Sequence, residues 1–327
     1  MQTGLDKWLN PNKKTYNIFY LDWEKSNIAN WLIEIPKKYN VKKIIKWNNK
    51  DILVVGNIET DDNFTNLDSF KHTSLLKSNL QKAIRRGKLS NSLSTAKLMI
   101  KTDFSQFIRR LAIIMLEDTT LHVSINTIIW MTAMYPVWKP NKIHIKWLLS
   151  IVNHICLIKN RDLYLKETFD INKNLDKINN LKESDRSIIY SLSFRLSYGG
   201  MKGDMGMIQY LTNLWLNRFQ NNEYYHSYDN IEIIDYNIKN IKINQILLEA
   251  VDFHCYPQII NKIKSIYLEL EEEDIKKSIW FNRSCYNYRN IIKTSLSDKI
   301  ENNYSNIWDI IKYDVNKISR QYLNTIH

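Results

Sequence analysis

From Thr73 onward, apolar residues recur every three to four positions, which is the spacing of amphipathic helices. In the first such segment the apolar positions 76, 80, 83 and 84 share one face and the opposite face is polar. Thr73 or Ser74 is expected to cap this helix, and Gly87 to follow its end. The same spacing predicts further helices at residues 91–101, 104–116 (capped by Asp103), 124–135, 142–158, 185–196, 205–219, 243–253, 257–270 and 306–323.

The first sixty residues follow a different pattern. Short β-rich runs cover residues 16–21, 41–47 and 51–55, and residues 27–35 have a helical period that Pro36 ends. The pattern as a whole predicts a mainly α protein, a multi-helix bundle with a small N-terminal α/β or β-hairpin element. Polar stretches at 57–71 and 165–183 divide the chain into three consecutive regions, residues 1–60, 72–160 and 184–327.

Four of the seven glycines fall within eight residues, at Gly199, Gly200, Gly203 and Gly206. Because glycine tolerates a positive φ, this junction predicts a tight structural turn between two helices, with Asp204 capping the second. Backbone N–H groups in such a turn can also hold an anion, with Lys202 as counter-charge. The Asp204 carboxylate would repel a phosphate there, and the glycine spacing matches neither common nucleotide-binding motif.

Composition adds a basic charge to this picture. The chain has 46 Lys and Arg against 34 Asp and Glu, a formal net charge of +12, which favours anionic partners and nucleic acid first. Arginine pairs and an aromatic segment that contains arginine, residues 280–289, are suited to phosphate contact and base stacking. The candidate nucleic-acid-binding residues are Arg85, Arg86, Lys88, Arg109, Arg110, Lys202, Arg283 and Arg289.

Glu117 and Asp118 end a predicted helix whose dipole disfavours acids at that end. We therefore expect at least one of them to form an ion pair with an arginine of the two pairs 85–86 and 109–110, or to cap the next helix. Such a pair would lock helix packing. The alternative is that the arginine pairs face phosphates.

The segments 76–86 and 103–118 carry a family resemblance. Their order, a Lys/Arg-rich helix followed by a helix with Arg-Arg-Leu and Glu-Asp, resembles the helical region after the ATPase core of RarA/MgsA-type AAA+ proteins, which are related to clamp loaders. The resemblance covers about residues 72–135. It implies a role beside DNA in replication or repair, with DNA favoured over RNA and with replication proteins or further copies of the chain as partners. It does not imply ATPase activity, because residues 1–70 hold no Walker or sensor motif.

Other chemistry has weaker signals. His254 and Cys255 are adjacent, which suits few tetrahedral metal sites, and no fourth ligand is evident, so we expect no metal and no cofactor.

Three cysteines and the absence of an apolar span predict an intracellular protein (nucleus, cytoplasm or viral factory) without a membrane segment. The favoured function is non-enzymatic nucleic-acid binding. Two alternatives stay open: an enzyme acting on nucleic acid or nucleotides through the glycine junction, Lys202, Asp204 and Asp252, and a viral structural or assembly protein.

Overall fold

The computed structural model describes residues 17–66, 72–162, 168–200, 202–223, 231–235, 245–284, 288–291 and 305–326. The strands in these ranges are β1 (Ile18–Asp22), β2 (Asn30–Leu32), β3 (Val41–Trp47), β4 (Lys50–Asn57), β5 (Asn160–Arg161) and β6 (Asn290–Ile291). The α-helices are α1 (Thr73–Arg85), α2 (Leu89–Thr102), α3 (Phe104–Asp118), α4 (Ile125–Met134), α5 (Lys142–Leu157), α6 (Leu175–Asn179), α7 (Glu183–Arg195), α8 (Lys202–Gln220), α9 (Gln258–Ile266), α10 (Glu272–Ser284) and α11 (Ser305–Thr325). The protein is mainly α with a small N-terminal sheet, which confirms the predicted fold class.

The chain forms two compact units, and each gathers separate stretches of sequence. The sheet unit comprises Met1–Asp62, His122–Pro140 and Leu165–Ser227, and the helical unit comprises Asn63–Leu121, Asn141–Tyr164 and Tyr228–His327. These units differ from the three consecutive regions that the polar stretches suggested. Composition marks where a chain is polar, but it carries no signal for a segment that returns to an earlier core.

The N-terminal sheet has the strand order β2-β1-β4-β3. Strands β1 and β4 are parallel, whereas β2 pairs with β1 and β3 with β4 in antiparallel register. Two residues join β3 to β4, and both are in the left-handed region, Asn48 at φ 47° and Asn49 at φ 60°. Asparagine tolerates this region better than most residues, so the Asn-Asn pair suits the tight hairpin.

Helices α4 and α7 pack on this sheet. Five buried or nearly buried rings form an aromatic cluster there, contributed by the strands and by α7: Phe19, Trp31, Trp47, Tyr190 and Phe194. Trp31 is 1% exposed, stacks on Phe19 with ring centroids 4.7 Å apart, and meets Phe194 edge-on at 5.3 Å. Its indole Nε1 donates to the Ser191 hydroxyl at 3.0 Å, so the one polar atom of the ring is satisfied.

The helix expected at residues 27–35 is wrong, because residues 30–32 form strand β2. Backbone N–H groups that a helix would use internally have tertiary partners instead. The N–H of Ala29 donates to Thr127 Oγ1 at 3.0 Å, and the N–H of Trp31 donates to Ser187 Oγ at 2.9 Å. Packing of Trp31 into the aromatic cluster therefore overrides the local period.

The glycine junction is a short turn between helices, as predicted. After α7, a 3₁₀ turn at Leu196–Tyr198 leads to Gly199 at φ 63° and Gly200 at φ 155°. The expected cap at Asp204 is wrong, because α8 begins at Lys202 and places Asp204 in its first turn. Gly203 and Gly206 lie inside α8, and a Cβ on Gly203 would meet nothing within 4 Å, so close packing does not require glycine there.

The helical unit is built on α1, α2, α3 and α5, which pack against one another, and on a second cluster of α9, α10 and α11. Isoleucines dominate the second cluster, including Ile263, Ile279 and Ile311, each fully buried. The helix expected at 243–253 is wrong for the described residues 245–253, which have 3₁₀ geometry at residue 245 and at Leu248–Ala250 but no α-helix. One reason is that the buried Asn79 side chain accepts the N–H of Leu247 at 3.0 Å.

Candidate nucleic-acid interface

Arg85 lies at the end of α1 and is buried, with its side chain 4% exposed. Its Nε donates to the carboxylate of Asp118, which is 1% exposed, and its Nη2 lies 3.0 Å from Glu117 Oε1. The cation expected for these two acids is therefore supplied by Arg85. A buried, bidentate arrangement of this kind satisfies both carboxylates and the guanidinium at once.

Neighbouring side chains complete the polar contacts of Glu117. The Gln81 amide donates to Glu117 Oε2 at 2.6 Å, and Arg110 Nη1 donates to Gln81 Oε1 at 3.4 Å. Burial raises the pKa of the Glu117 carboxyl, and the adjacent Arg85 acts in the opposite direction. Arg110 and Arg109 are both partly buried on α3.

Arg289 binds the C-terminal ends of α1 and α3, where the negative end of each helix dipole disfavours acids such as Glu117 and Asp118. Its Nη1 donates to the carbonyl oxygen of Asp118 at 2.8 Å, its Nε to that of Arg85 at 3.3 Å, and its Nη2 to that of Ile84. One cation thus binds the C-terminal carbonyls of both α1 and α3, where helix dipoles favour positive charge. We refer to Arg85, Glu117, Asp118 and Arg289 as the ionic cluster.

Two further arginines are engaged around the end of α10. Arg283 is 2% exposed, donates to Asn316 Oδ1 at 3.0 Å and to Ser319 Oγ at 3.2 Å, and lies over the Trp308 ring. Arg86 is partly buried, donates to the carbonyl oxygen of Arg283 at 2.8 Å and lies 4.7 Å from the centre of the Tyr288 ring.

These contacts correct part of the expected phosphate-binding set. Arg85, Arg283 and Arg289 are buried, and their nitrogens bind protein acceptors, so their guanidinium groups are not on the surface. Within 280–289, the described residues use arginine to hold helices together, which argues against a base-stacking platform built on Arg283 and Arg289.

Lys82 and Asp252 form a second buried ion pair in the same unit, with side chains 6% and 9% exposed. Burial by itself would raise the pKa of the Asp252 carboxyl, but Lys82 and then His254 hold it well below its usual range. Burial raises the pKa of the Cys255 thiol to about 12, with Asp252 as the next cause. Cys255 is therefore a thiol at neutral pH and is not activated as a nucleophile.

Several exposed cations of the helical unit lie on elements that contain no acidic residue. Residues 73–102, which span α1 and α2, hold seven Lys and Arg and no Asp or Glu, and residues 142–161, which span α5, hold four and none. Acids from other segments pair with Lys82, Arg85 and Lys146. The remaining cations have no carboxylate on their own element and leave these elements with a net positive charge. We call α1, α2 and α5 the basic helical layer; its exposed or partly exposed lysines include Lys88, Lys97, Lys101, Lys142 and Lys159 (which follows α5).

At one end of the basic helical layer, the start of α2 lies against the end of α5. Ser92 Oγ, near the start of α2, lies 3.5 Å from Cys156 Sγ, near the end of α5. Gly87, at φ 62°, would place a Cβ 3.7 Å from the carbonyl oxygen of Cys156. The exposed Lys88 therefore lies at the same end of the layer as the exposed Lys159.

Sequence reasoning identified Lys88 but missed Lys97, Lys101, Lys142 and Lys159. The signal that would have found them is the absence of acids across 73–102 and 142–161, rather than the arginine pairs. Lys202 is exposed in the first turn of α8, in the sheet unit.

Within the described residues, the apolar runs of the helices are too short or too polar to cross a membrane. Comparisons with protein-family models, with curated proteins and with solved structures find no match to this chain.

Proposed function

We propose that this chain is a non-enzymatic nucleic-acid-binding protein that acts in DNA replication or repair and holds the phosphate backbone on the basic helical layer. The observation that carries the proposal is the lack of any acidic residue on α1, α2 and α5, combined with exposed lysines on each end of α2 and at the start of α5. The net charge of +12 acts in the same direction.

The chemistry of the layer favours backbone contact over base recognition. Lysine ammonium groups bind phosphates as point charges and release counterions, which gives affinity without sequence information. Arginines can read base edges through two hydrogen bonds, but Arg85 and Arg289 are buried and their nitrogens bind protein acceptors. The proposal is therefore sequence-tolerant binding, with DNA preferred on the resemblance to clamp-loader-related proteins.

The test is the salt dependence of binding to a labelled duplex, measured by fluorescence anisotropy from about 50 to 200 mM salt. A triple variant, Lys88→Gln, Lys101→Gln and Lys142→Gln, should lower the slope of log K against log salt by about 2 to 3, since each phosphate contact contributes about 0.9. A single-stranded DNA and an RNA of equal length establish which nucleic acid binds best.

A matched control removes the same charge elsewhere in the unit. Lys276 and Lys277 lie 3.9 Å from Glu273, and Lys312 lies 2.7 Å from Asp309, so their fields are locally offset. Their replacement by Gln should leave the slope almost unchanged. Equal losses in both triple variants would mean that only net charge matters, and no wild-type binding at about 50 mM salt would end the proposal.

A further inference from the structure

A second basic surface lies in the sheet unit, on the β3–β4 hairpin. Residues 37–50 contain six lysines and no acid. The candidate residues drawn from the sequence included none of these six lysines.

The pleat of β3 divides its lysines into two groups. Lys42 and Lys46 share one face with Ile44, which is 60% exposed, because side chains alternate along a strand. Lys43 points to the other face, where its Nζ donates to the carbonyl oxygens of Ala133 at 2.6 Å and Tyr135 at 3.2 Å. These bonds attach Lys43 to the end of α4, and burial there lowers its pKa. The exposed face of β3 therefore carries Lys42 and Lys46 but not Lys43.

The exposed group has little local counter-charge. Lys42, Lys46 and Lys50 are exposed, and among the described residues no ion pair involves them, although Asp51 stands opposite Lys46 in the register. Lys38 differs, since it pairs with Glu24 at 2.6 Å.

The position of β3 in the sheet makes this surface accessible. β3 is the edge strand of the order β2-β1-β4-β3, so within the described residues its outer edge pairs with no other strand. An edge strand of this kind presents backbone N–H groups beside its side chains. Ammonium groups together with free N–H donors form a surface complementary to phosphate oxygens.

We infer that the exposed edge of β3, with Lys42, Lys46 and Lys50, is a second phosphate-binding surface that takes a nucleic-acid backbone independently of the basic helical layer. The inference rests on the proposed function for the class of partner. Two surfaces on one chain raise affinity for a long nucleic acid, because the second contact forms at a high effective concentration. The competing explanation is that edge lysines only prevent sheets of two copies from pairing.

The experiment compares the variant Lys42→Gln, Lys46→Gln and Lys50→Gln with the wild type in the same salt titration. Phosphate binding predicts a slope lower by about 2 to 3 and an affinity for a long duplex at least about tenfold weaker at 50 mM salt. Combining this variant with the triple variant of the basic helical layer should lower the slope by about 5. Light scattering and a circular dichroism melt are recorded on each variant.

The outcomes separate the two surfaces. A hairpin variant that binds like the wild type, whether or not it self-associates, overturns this inference. If the layer variant loses affinity in that case, the proposed function stands without the second surface. If neither triple variant changes the slope, both proposals fall. If only the hairpin variant lowers the slope, the β3 edge is the principal binding surface and the basic helical layer is not a binding surface.

Discussion

The aromatic cluster of the sheet unit and the ionic cluster of the helical unit bury large side chains to nearly the same degree, yet by opposite means. Trp31 is 1% exposed and has one polar atom, which Ser191 satisfies. Arg85 is 4% exposed and needs a partner for each charged nitrogen it buries. The first is stabilised by apolar area and ring geometry, the second by matched charges whose desolvation offsets much of their attraction.

The difference predicts how each cluster fails. Trimming an aromatic ring leaves a cavity and weakens the unit in proportion to lost contact. Removing one partner from the ionic cluster leaves an uncompensated buried charge, which costs more than the pair itself contributes. The ionic cluster also fixes position, since Arg289 binds carbonyls of Ile84, Arg85 and Asp118 at two helix ends.

The largest expected effect follows from breaking the ionic cluster on one side. Asp118→Ala should lower the free energy of unfolding by about 3 to 5 kcal/mol, because Arg85 would keep its charge without its buried carboxylate. The double variant Asp118→Ala with Arg85→Met should recover part of this loss. Urea unfolding followed by circular dichroism gives both values. If Asp118→Ala unfolds like the wild type, the ion pair has no role in packing.

Measuring the free energy of unfolding as the pH is lowered distinguishes a core held by buried charges from one held by apolar contacts. The pKa of Asp252 is lowered in the folded state, so its contribution is complete above the unfolded value of about 4 and is lost as pH falls through the folded value. Asp252→Asn should cost about 3 kcal/mol at pH 7. The gap to the wild type should begin to narrow below about pH 4 and shrink further as the pH falls towards the folded value.

The matched control is Trp31→Phe, which keeps a ring in the aromatic cluster and titrates no group. Its loss of unfolding free energy should be the same at pH 7 and pH 3. A gap between Asp252→Asn and the wild type that stays constant with pH would show that Asp252 acts through packing instead of charge. Unfolding curves at five or six pH values are sufficient.

The smallest effects concern the backbone at the glycine junction. Gly199→Ala should destabilise by about 1 to 2 kcal/mol, because an L-residue at φ 63° is strained even though its Cβ would have space. Gly203→Ala should stabilise by about 0.5 to 1 kcal/mol, since the helix gains propensity and the Cβ meets nothing within 4 Å. Thermal melts of the two single variants provide the comparison, and equal shifts would mean that φ does not decide the outcome.

Local signals in the sequence were reliable at several helix ends. The caps expected at Thr73 or Ser74 and at Asp204 are wrong, because α1 begins at Thr73 after His72 and α8 begins at Lys202. Asp103 caps α3 by accepting the N–H of Gln106 at 3.0 Å, and Gly87 ends α1 at φ 62°. The glycine junction and the presence of a cation at Glu117 and Asp118 also followed from helix-end chemistry. Each of these depends on residues within one or two turns or on a dipole that the sequence locates.

The sequence by itself determined a mainly α fold, a small N-terminal sheet, the Asp103 cap of α3 and a strongly basic charge. Only the tertiary structure decided that residues 30–32 are a strand, that the units are discontinuous, and that Arg85, Arg283 and Arg289 lie inside while Lys42 and Lys46 lie outside. The physical reason is that an amphipathic period or a cap depends on near neighbours, whereas burial of a charge depends on acceptors that arrive from distant parts of the chain. Arg289 meets Ile84 across about two hundred residues, and no pattern within either segment encodes that contact.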